Sequence, residues 1–232
     1  MSKLPTILLL TLGLGLTINS HAAGVRYGQT LCSDPAYRCM VTRNGDTWAG
    51  LWRNDREREV MMRLNRMNVE LQPGTVIAVP KNLRQMSVMD ISPFSYKIRP
   101  RGQKLLLVHL GELAWGAYDK EGNLINWGPA SGGRGWCTDV NQRCNTPTGK
   151  FSIVSKGTES CVSKKYPIGD GPRAPMPQCM FFHGGYALHG SYNVPGYAAS
   201  HGCVRMYPSD ARWLNHQFTT IGTRVVIVNP ST

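Results

Sequence analysis

Residues 186–206 read YALHGSYNVPGYAASHGCVRM and place two histidines and one cysteine in a segment rich in glycine and small residues. Covalent catalysis by a thiol requires a nucleophilic sulfur, a base that accepts its proton, and backbone N–H donors for the oxyanion. Cys203 supplies the sulfur, and either His189 or His201 can supply the base. Gly202 has no Cβ, so the backbone beside the sulfur can approach a reacting carbonyl. A lone cysteine is commonly a buried core residue, but two imidazoles accompany this one, and the stretch predicts a catalytic cysteine.

Two motifs carry a resemblance to a known family. Residues 200–206 (SHGCVRM), preceded by residues 188–191 (LHGS), resemble the signature of the L,D-transpeptidase (YkuD) catalytic domain. Residues 146–153 (TPTGKFSI) are similar to the second hallmark of that family, so the resemblance covers roughly residues 100 to 230. One departure is the short connection of eleven positions from His189 to Ser200, which leaves the acceptor side of the cleft without a prediction.

The resemblance implies a division of roles among the catalytic residues. Cys203 is the nucleophile, and a nearby imidazolium is expected to lower its pKa. His189 takes the thiol proton, and the backbone carbonyl of Gly190 orients its other ring nitrogen. From the residues alone, His201 competes with His189 as the base. No Asp or Glu lies between positions 170 and 210 to orient either ring.

Further site residues follow from the same resemblance. The oxyanion hole is expected from the backbone N–H groups of His201, Gly202 and Cys203. Arg205 is expected to bind a substrate carboxylate or to brace the loop through bidentate hydrogen bonds. The other predicted substrate-binding residues are Ser200, whose alternative role is to cap a turn, and Tyr186, with Met176 as a further wall of the donor cleft. No metal and no organic cofactor is implied, and a zinc centre built from the histidines and Cys203 is the weaker alternative.

The activity implied by the resemblance is acyl transfer on peptidoglycan stem peptides. Cys203 would attack the carbonyl of an L-residue next to a terminal D-residue, release that D-amino acid, and pass the thioester to an amine of a second stem. With water as acceptor, the same site is an L,D-carboxypeptidase; with a lipoprotein lysine, it anchors protein to the wall. The alternative from another class is a non-catalytic peptidoglycan-binding protein.

The start of the chain predicts export. Residues 1–23 combine Lys3, an apolar run over residues 4–18 and small residues before position 24, which is the pattern of a secretory signal peptide. The run is shorter than the ~20 residues that a membrane span requires. We therefore predict no transmembrane span in the mature chain and a location in the periplasm or cell envelope.

The cysteine count agrees with an oxidising compartment. Seven cysteines leave one free thiol if the others are paired. Cys203 is the natural free residue, although six cysteines allow fifteen pairings. Pairing by nearness in sequence predicts the bridges Cys32–Cys39, Cys137–Cys144 and Cys161–Cys179. None of the spacings is the Cys-x-x-Cys typical of zinc sites.

The net charge of +12 indicates an acidic partner. For an exported protein, the expected partner is peptidoglycan, through its stem peptides and glycan, or an anionic membrane surface, rather than nucleic acid. The basic residues are scattered, and the densest group, residues 53–66, is interleaved with acids as on a solvated helix face. The sequence contains no signal for an oligomeric state.

Residues 40–80 predict a small α+β unit of strand, two helices and strand. Residues 45–47 (GDT) form a turn before the first helix, and residues 76–79 form the closing strand. The unit resembles a LysM module, a small peptidoglycan-binding domain, and the alternative is a cap that covers the catalytic cleft. Residues 24–39 are assigned to an N-terminal segment, and residues 81–103, with two prolines and little periodicity, to a linker.

Residues 104–230 predict a mainly β catalytic domain. Closely spaced apolar strands separated by turns favour a β-sandwich or a partly open barrel with one or two helices, and this agrees with the fold that the resemblance implies. The predicted helix covers residues 208–217, with proline in its first turn. The predicted strands are 105–110, 113–118, 124–127, 151–154, 186–189 and 223–228.

Overall fold

The computed structural model describes residues 25–167 and 171–229, and the predicted signal peptide at residues 1–23 lies outside them. In the described chain, a small strand–helix–helix–strand unit packs against a larger β domain. Within these ranges, no helix combines the length and the apolar character that crossing a membrane would require.

The N-terminal unit has the predicted order of elements. Its members, after a short helix α1 (Tyr27–Thr30), are β1 (Tyr37–Val41), α2 (Trp48–Leu51), α3 (Asp55–Leu64) and β2 (Val76–Pro80). The two strands pair antiparallel. The Thr47 hydroxyl accepts from the Gly50 N–H at 3.0 Å and caps α2, and Asn54 accepts from the Glu57 N–H at 3.1 Å and caps α3. Because Asn54 supplies this cap, α3 begins at Asp55.

The larger domain is built on one mixed sheet. Its nine strands are β3 (Leu105–His109), β4 (Ala114–Tyr118), β5 (Leu124–Ser131), β8 (Gly149–Ser152), β9 (Ser155–Lys156), β10 (Met180–His183), β11 (Tyr186–Gly190), β12 (Val204–Met206) and β13 (Arg224–Val228). The strands β6 (Gly135–Cys137) and β7 (Gln142–Cys144) form a separate hairpin. The sheet order is β8–β13–β3–β4–β5–β12–β11–β10–β9. The β3/β13 and β11/β12 pairs are parallel, and the other pairs are antiparallel.

The sheet curls so that its two ends approach each other. The rings of Phe151 on β8 and Phe182 on β10 lie 5.3 Å apart between centroids, and the Val154 N–H donates to the Phe181 carbonyl at 2.8 Å. The helix α4 (Pro208–Trp213), which continues as a wider turn over Leu214–Phe218, packs on the enclosed core. The prediction of a mainly β domain with few helices is confirmed, in the form of a single curled sheet.

All six predicted strands of the larger domain are present, and the third extends to Ser131 instead of ending at residue 127. The strands that sequence patterns did not predict are β6, β7, β9, β10 and β12. Each has two to four residues. Such short segments are too short to show an alternation of apolar and polar residues, and they form strands because they pair with neighbours that are distant in sequence.

Residues 81–103, predicted as a linker or extended connection, pack against both units. The segment forms two short 3₁₀ turns, Leu83–Gln85 and Met89–Ile91. Ile91 and Phe94 are buried in a core that helix α3 shares with strands of the sheet. The prolines that suggested a linker interrupt regular structure without preventing burial of the apolar side chains between them.

Buried polar contacts also join the two units. Arg63 on α3 forms two hydrogen bonds with the Asp210 carboxylate on α4, at 2.7 and 3.2 Å, and a third with the Trp127 carbonyl at 2.8 Å. The Tyr207 hydroxyl donates to the Met67 carbonyl at 2.6 Å. The N-terminal unit is therefore fixed to the β domain.

The three predicted disulfides are confirmed, and Cys203 is the free cysteine. One bridge ties the start of the N-terminal unit to β1, and one closes the β6–β7 hairpin. The third spans 18 positions and closes the segment that leads into β10. Two of the three bridges therefore constrain the surroundings of Cys203.

Candidate active site

Cys203 and His189 lie on the same face of the sheet because of strand register. In the parallel β11/β12 pair, Leu188 is opposite Val204 and His189 is opposite Arg205. Successive side chains point to opposite faces of a strand. Since Leu188 and Val204 are fully buried in the core, the sulfur, the imidazole and the guanidinium share the other face.

The loop before β12 requires glycine at position 202. Gly202 has φ +118°, a region that favours glycine, and a Cβ there would lie 2.6 Å from the Tyr186 ring. The Thr146 hydroxyl donates to the Gly202 carbonyl at 2.8 Å and accepts from the Gly133 N–H at 2.8 Å. The TPTG motif thus supports the loop that carries the cysteine.

Ser200 braces this loop from inside. Its side chain is buried, accepts from the Gly202 N–H at 3.0 Å and donates to the Cys203 carbonyl. These two bonds are those of a residue that caps a turn, and contact of Ser200 with substrate stays a prediction. The same hydroxyl engages the Gly202 N–H, one of the three expected oxyanion donors.

His189 has the orientation that a base requires. Its Nδ1 lies 2.9 Å from the Gly190 carbonyl oxygen. A carbonyl only accepts, so Nδ1 carries the proton and Nε2 carries the free lone pair. The ring is 6% exposed. Burial lowers the pKa of His189 to about 4. The hydrogen bond to Gly190 opposes this shift, and the charge of Arg205 adds a smaller lowering.

Burial raises the pKa of the Cys203 thiol, where the sequence predicted a lowered value. The Ala187 backbone N–H and the Arg205 charge oppose this rise and do not overcome it. With His189 also shifted toward its neutral form, the resting pair at neutral pH is a thiol and an uncharged imidazole. The sulfur must then lose its proton during attack.

The second histidine belongs to a wall beside the sulfur. His201 Nε2 lies 2.6 Å from the Asp139 carboxylate, and its ring packs against the ring of Tyr166 in a tilted arrangement with centroids 4.6 Å apart. The hydrogen bond from His201 lowers the pKa of Asp139. Sequence reasoning missed this carboxylate because it lies 62 positions upstream. The Cys137–Cys144 bridge that closes its hairpin was the nearest sequence signal.

One group of metal-ligand types occurs among the described residues. His201, Asp139 and the Cys137 sulfur offer atoms within 4.8 Å of one another. That sulfur is bonded to Cys144, which leaves two ligands where protein zinc sites use three or four. His183 lies apart from this group, exposed and against the ring of Phe151.

Two arginines flank the catalytic face. Burial lowers the pKa of Arg205, and the charge of Arg134 lowers it further. Arg205 Nη1 lies 3.5 Å from the Asn193 carbonyl, a contact too long to count as a strong brace. The exposed Arg134, whose N–H donates to the Ser200 carbonyl at 3.0 Å, was not predicted.

The sulfur opens into a cleft of about 430 Å³. Tyr186 and Met176 line it, as expected for walls of the donor side, together with His201. Further parts of the wall come from the β6–β7 hairpin, from the segment closed by Cys161–Cys179, from residues 154–155 and from the β10–β11 hairpin. Sequence motifs located the sulfur, but the second half of the cleft came from segments without a recognised motif.

The model of the L,D-transpeptidase catalytic domain, YkuD, matches residues 103–227 of this chain. The chain belongs to this family. It is similar to the solved L,D-transpeptidase (residues 123–326) from Xylanimonas cellulosilytica, with 25% identity and a TM-score of 0.54 over 73% of this chain and 78% of that one. It is also similar to an L,D-transpeptidase from Stackebrandtia nassauensis, with 23% identity and a TM-score of 0.47 over 61% and 63% of the two chains. A comparison with curated proteins gives no match.

Membership establishes an enzyme of the L,D-transpeptidase family, which acts on the peptidoglycan of the cell envelope. The matched range includes the loop of Cys203, the strand of His189 and the hairpin of Asp139. Residues 40–80 lie outside the range, so the LysM-like interpretation of the N-terminal unit stays a prediction.

The buried imidazole of the L,D-transpeptidase site predicts a loss of stability in mild acid. Unfolded His189 titrates near 6.5 and the folded residue near 4. The neutral His189 ring therefore contributes ~3 kcal/mol to the free energy of unfolding above pH 6.5, and this contribution is lost as the pH falls toward 4. We expect urea denaturation to show that the free energy of unfolding falls less between pH 7.5 and pH 4.5 for His189→Gln than for the wild type. Equal declines would contradict the assignment.

Proposed function

We propose that the protein is a cysteine-dependent L,D-transpeptidase that cross-links peptidoglycan stem peptides through a thioester. The observation that carries this proposal is the free thiol of Cys203, on one sheet face with an imidazole whose Nδ1 is held by the Gly190 carbonyl. The thiol also opens into a cleft of about 430 Å³. Nucleophile, base, orienting group and substrate space therefore occur together.

The first half-reaction forms the acyl-enzyme. The Cys203 sulfur bonds to the carbonyl carbon of the L-residue while its proton passes to His189 Nε2. Collapse of the tetrahedral intermediate breaks the C–N bond to the terminal D-residue, and the imidazolium donates its proton to the leaving amine. Because both groups are neutral at rest, proton transfer accompanies attack, and a base in a fixed tautomer is well suited to this step.

The second half-reaction passes the acyl group to an amine of another stem peptide. His189 takes a proton from the attacking amine, the new amide forms, and the C–S bond breaks. The released thiolate recovers its proton from His189. For the oxyanion of both steps we assign the backbone N–H groups of His201 and Cys203, since Ser200 occupies that of Gly202.

The surroundings of the site support a cell-envelope location. Three disulfides are typical of exported proteins, and the predicted signal peptide agrees with them. The N-terminal unit has the βααβ order of a LysM module, and we propose that it contacts the glycan. Arg205 and Arg134 are assigned to the carboxylate of the terminal D-residue, since Arg pairs well with carboxylates.

Muropeptides that carry tetrapeptide stems test the activity. With purified protein, we expect cross-linked dimers and free D-amino acid, detected by mass spectrometry. Tripeptide products without dimers would identify a carboxypeptidase instead, and a peptide joined to a lipoprotein lysine would identify the anchoring reaction.

A carbapenem separates the enzyme from the non-catalytic alternative. The β-lactam should add its mass to the intact protein and spare Cys203→Ala. No adduct on folded wild-type protein, together with no turnover of muropeptides, would leave a wall-binding protein and overturn the proposal.

A further inference from the structure

Three cationic side chains line the cleft into which Cys203 opens. Arg143 belongs to the β6–β7 hairpin, and Lys164 and Lys165 belong to the segment closed by the Cys161–Cys179 disulfide. No described residue of the cleft wall is acidic. Asp139, the carboxylate behind this wall, is engaged by His201 at 2.6 Å. The described wall therefore presents only positive charge to a ligand.

Hydrogen bonds and disulfides hold these cations in place. Arg143 lies next to Cys144, whose bridge to Cys137 closes the hairpin. On the other segment, the Ser163 hydroxyl accepts from the N–H groups of Lys165 at 3.2 Å and Tyr166 at 2.8 Å. The turn that carries both lysines is thus fixed at the backbone.

The two segments meet at the histidine wall beside the sulfur. Tyr166, next to Lys165, packs its ring against that of His201 with centroids 4.6 Å apart. Its hydroxyl accepts a hydrogen bond at 2.7 Å from Gln142, which is next to Arg143. Among the described residues, none of the three cations forms an ion pair. Positive charge in a cleft, without a protein counter-charge among these residues, favours an anionic ligand.

We infer that this cleft recognises free carboxylates along the stem peptide and discriminates against stems in which they are carboxamides. The inference rests on the proposed function, because it concerns the peptide that Cys203 attacks. A carboxamide has the same shape as a carboxylate but lacks its charge, so it loses the attraction of Arg143, Lys164 and Lys165. The discrimination acts on binding, because these cations lie along the cleft and take no part in proton transfer.

The test compares two versions of one tetrapeptide muropeptide, with the scissile bond unchanged. In one, the carboxylates along the stem are free; in the other, they are carboxamides. For wild-type protein we expect KM to be about fivefold to tenfold lower for the free acid, with kcat within about twofold, since exposed charge pairs have modest effects. The difference in KM should shrink with added salt.

The double variant Lys164→Gln/Lys165→Gln should abolish most of this preference. A matched control is Lys81→Gln/Lys120→Gln, which removes the same two charges from exposed positions outside the cleft and should keep the wild-type preference. If the cleft variant retains the preference, or if wild-type protein does not distinguish the two peptides, the inference is wrong.

Two readouts keep this result separate from the proposed function. Alkylation of Cys203 by iodoacetamide, an uncharged reagent that the cations do not attract, should proceed in the Lys164→Gln/Lys165→Gln variant as in the wild type, which shows that the thiol site is intact. Binding of the two peptides to Cys203→Ala, followed by calorimetry, tests carboxylate recognition without turnover. Cross-linking with equal KM values would leave the proposed function standing and reject the inference. Charge-dependent binding without turnover would support carboxylate recognition by the cleft and reject the proposed cross-linking reaction.

Discussion

Cys203→Ala is expected to lose cross-linking entirely, and His189→Gln to lower kcat by about 10²- to 10⁴-fold, the usual contribution of a general base. Gln keeps an N–H that can donate to the Gly190 carbonyl, but it has no basic lone pair at the position of Nε2. The fold around residue 189 should therefore persist while proton transfer is lost. Mass spectrometry of muropeptide products over time measures both variants.

The same assay decides between the two histidines. His201 is engaged by Asp139 and forms a cleft wall, so we expect His201→Gln to raise KM more than it lowers kcat. His216→Gln, a change at an exposed histidine outside the cleft, serves as the matched control with wild-type kinetics. A loss of kcat confined to His201→Gln would transfer the role of base to His201.

Asp210→Asn is expected to destabilise the whole protein by about 3–5 kcal/mol, the usual result of leaving one member of a buried ion pair without its partner. The side chains of Arg63 and Asp210 are 8% and 4% exposed and share two hydrogen bonds. Arg63 lies on α3 and Asp210 on α4. We therefore expect a single cooperative urea transition, in which both units unfold together, with its midpoint at a lower urea concentration than in the wild type.

An apolar pair separates the net contribution of this ion pair from the cost of breaking it. Arg63→Met/Asp210→Leu should recover much of the stability lost in Asp210→Asn, because neither charge is then buried alone. Glu121→Gln, which breaks the exposed contact between Lys120 and Glu121 at 3.8 Å, should change stability by less than about 1 kcal/mol. Two separate transitions in the wild type would contradict the fixed junction.

Local patterns were sufficient for much of this protein. The seven-residue block 200–206 and the strand of His189 indicated the family, a candidate nucleophile and two candidate bases, because these motifs consist of neighbours in sequence. The three disulfides were found by nearness, since short loops close readily. The six longer strands of the sheet were found because apolar residues mark a buried strand.

Other features depend on residues that meet only after folding. Asp139 reaches His201 across 62 positions, and the linker composition of residues 81–103 hid a packed segment. The loop from 200 to 203 illustrates the same limit, because the hydrogen bond of Ser200 removes the Gly202 N–H from the predicted oxyanion hole. The sign of the shift in the Cys203 pKa was wrong for a related reason, since burial is a property of the surroundings.

By itself, the sequence indicated the candidate nucleophile, the mainly β architecture and the likeness to one family, because each depends on residues that are close together in the chain. Only the tertiary structure decided how the N-terminal unit is attached and what charge surrounds the sulfur. Arg63 meets Asp210, and Lys164 and Lys165 join Arg143 around one cleft, from positions far apart in the chain. Such contacts arise from packing and strand order, and no local pattern encodes them.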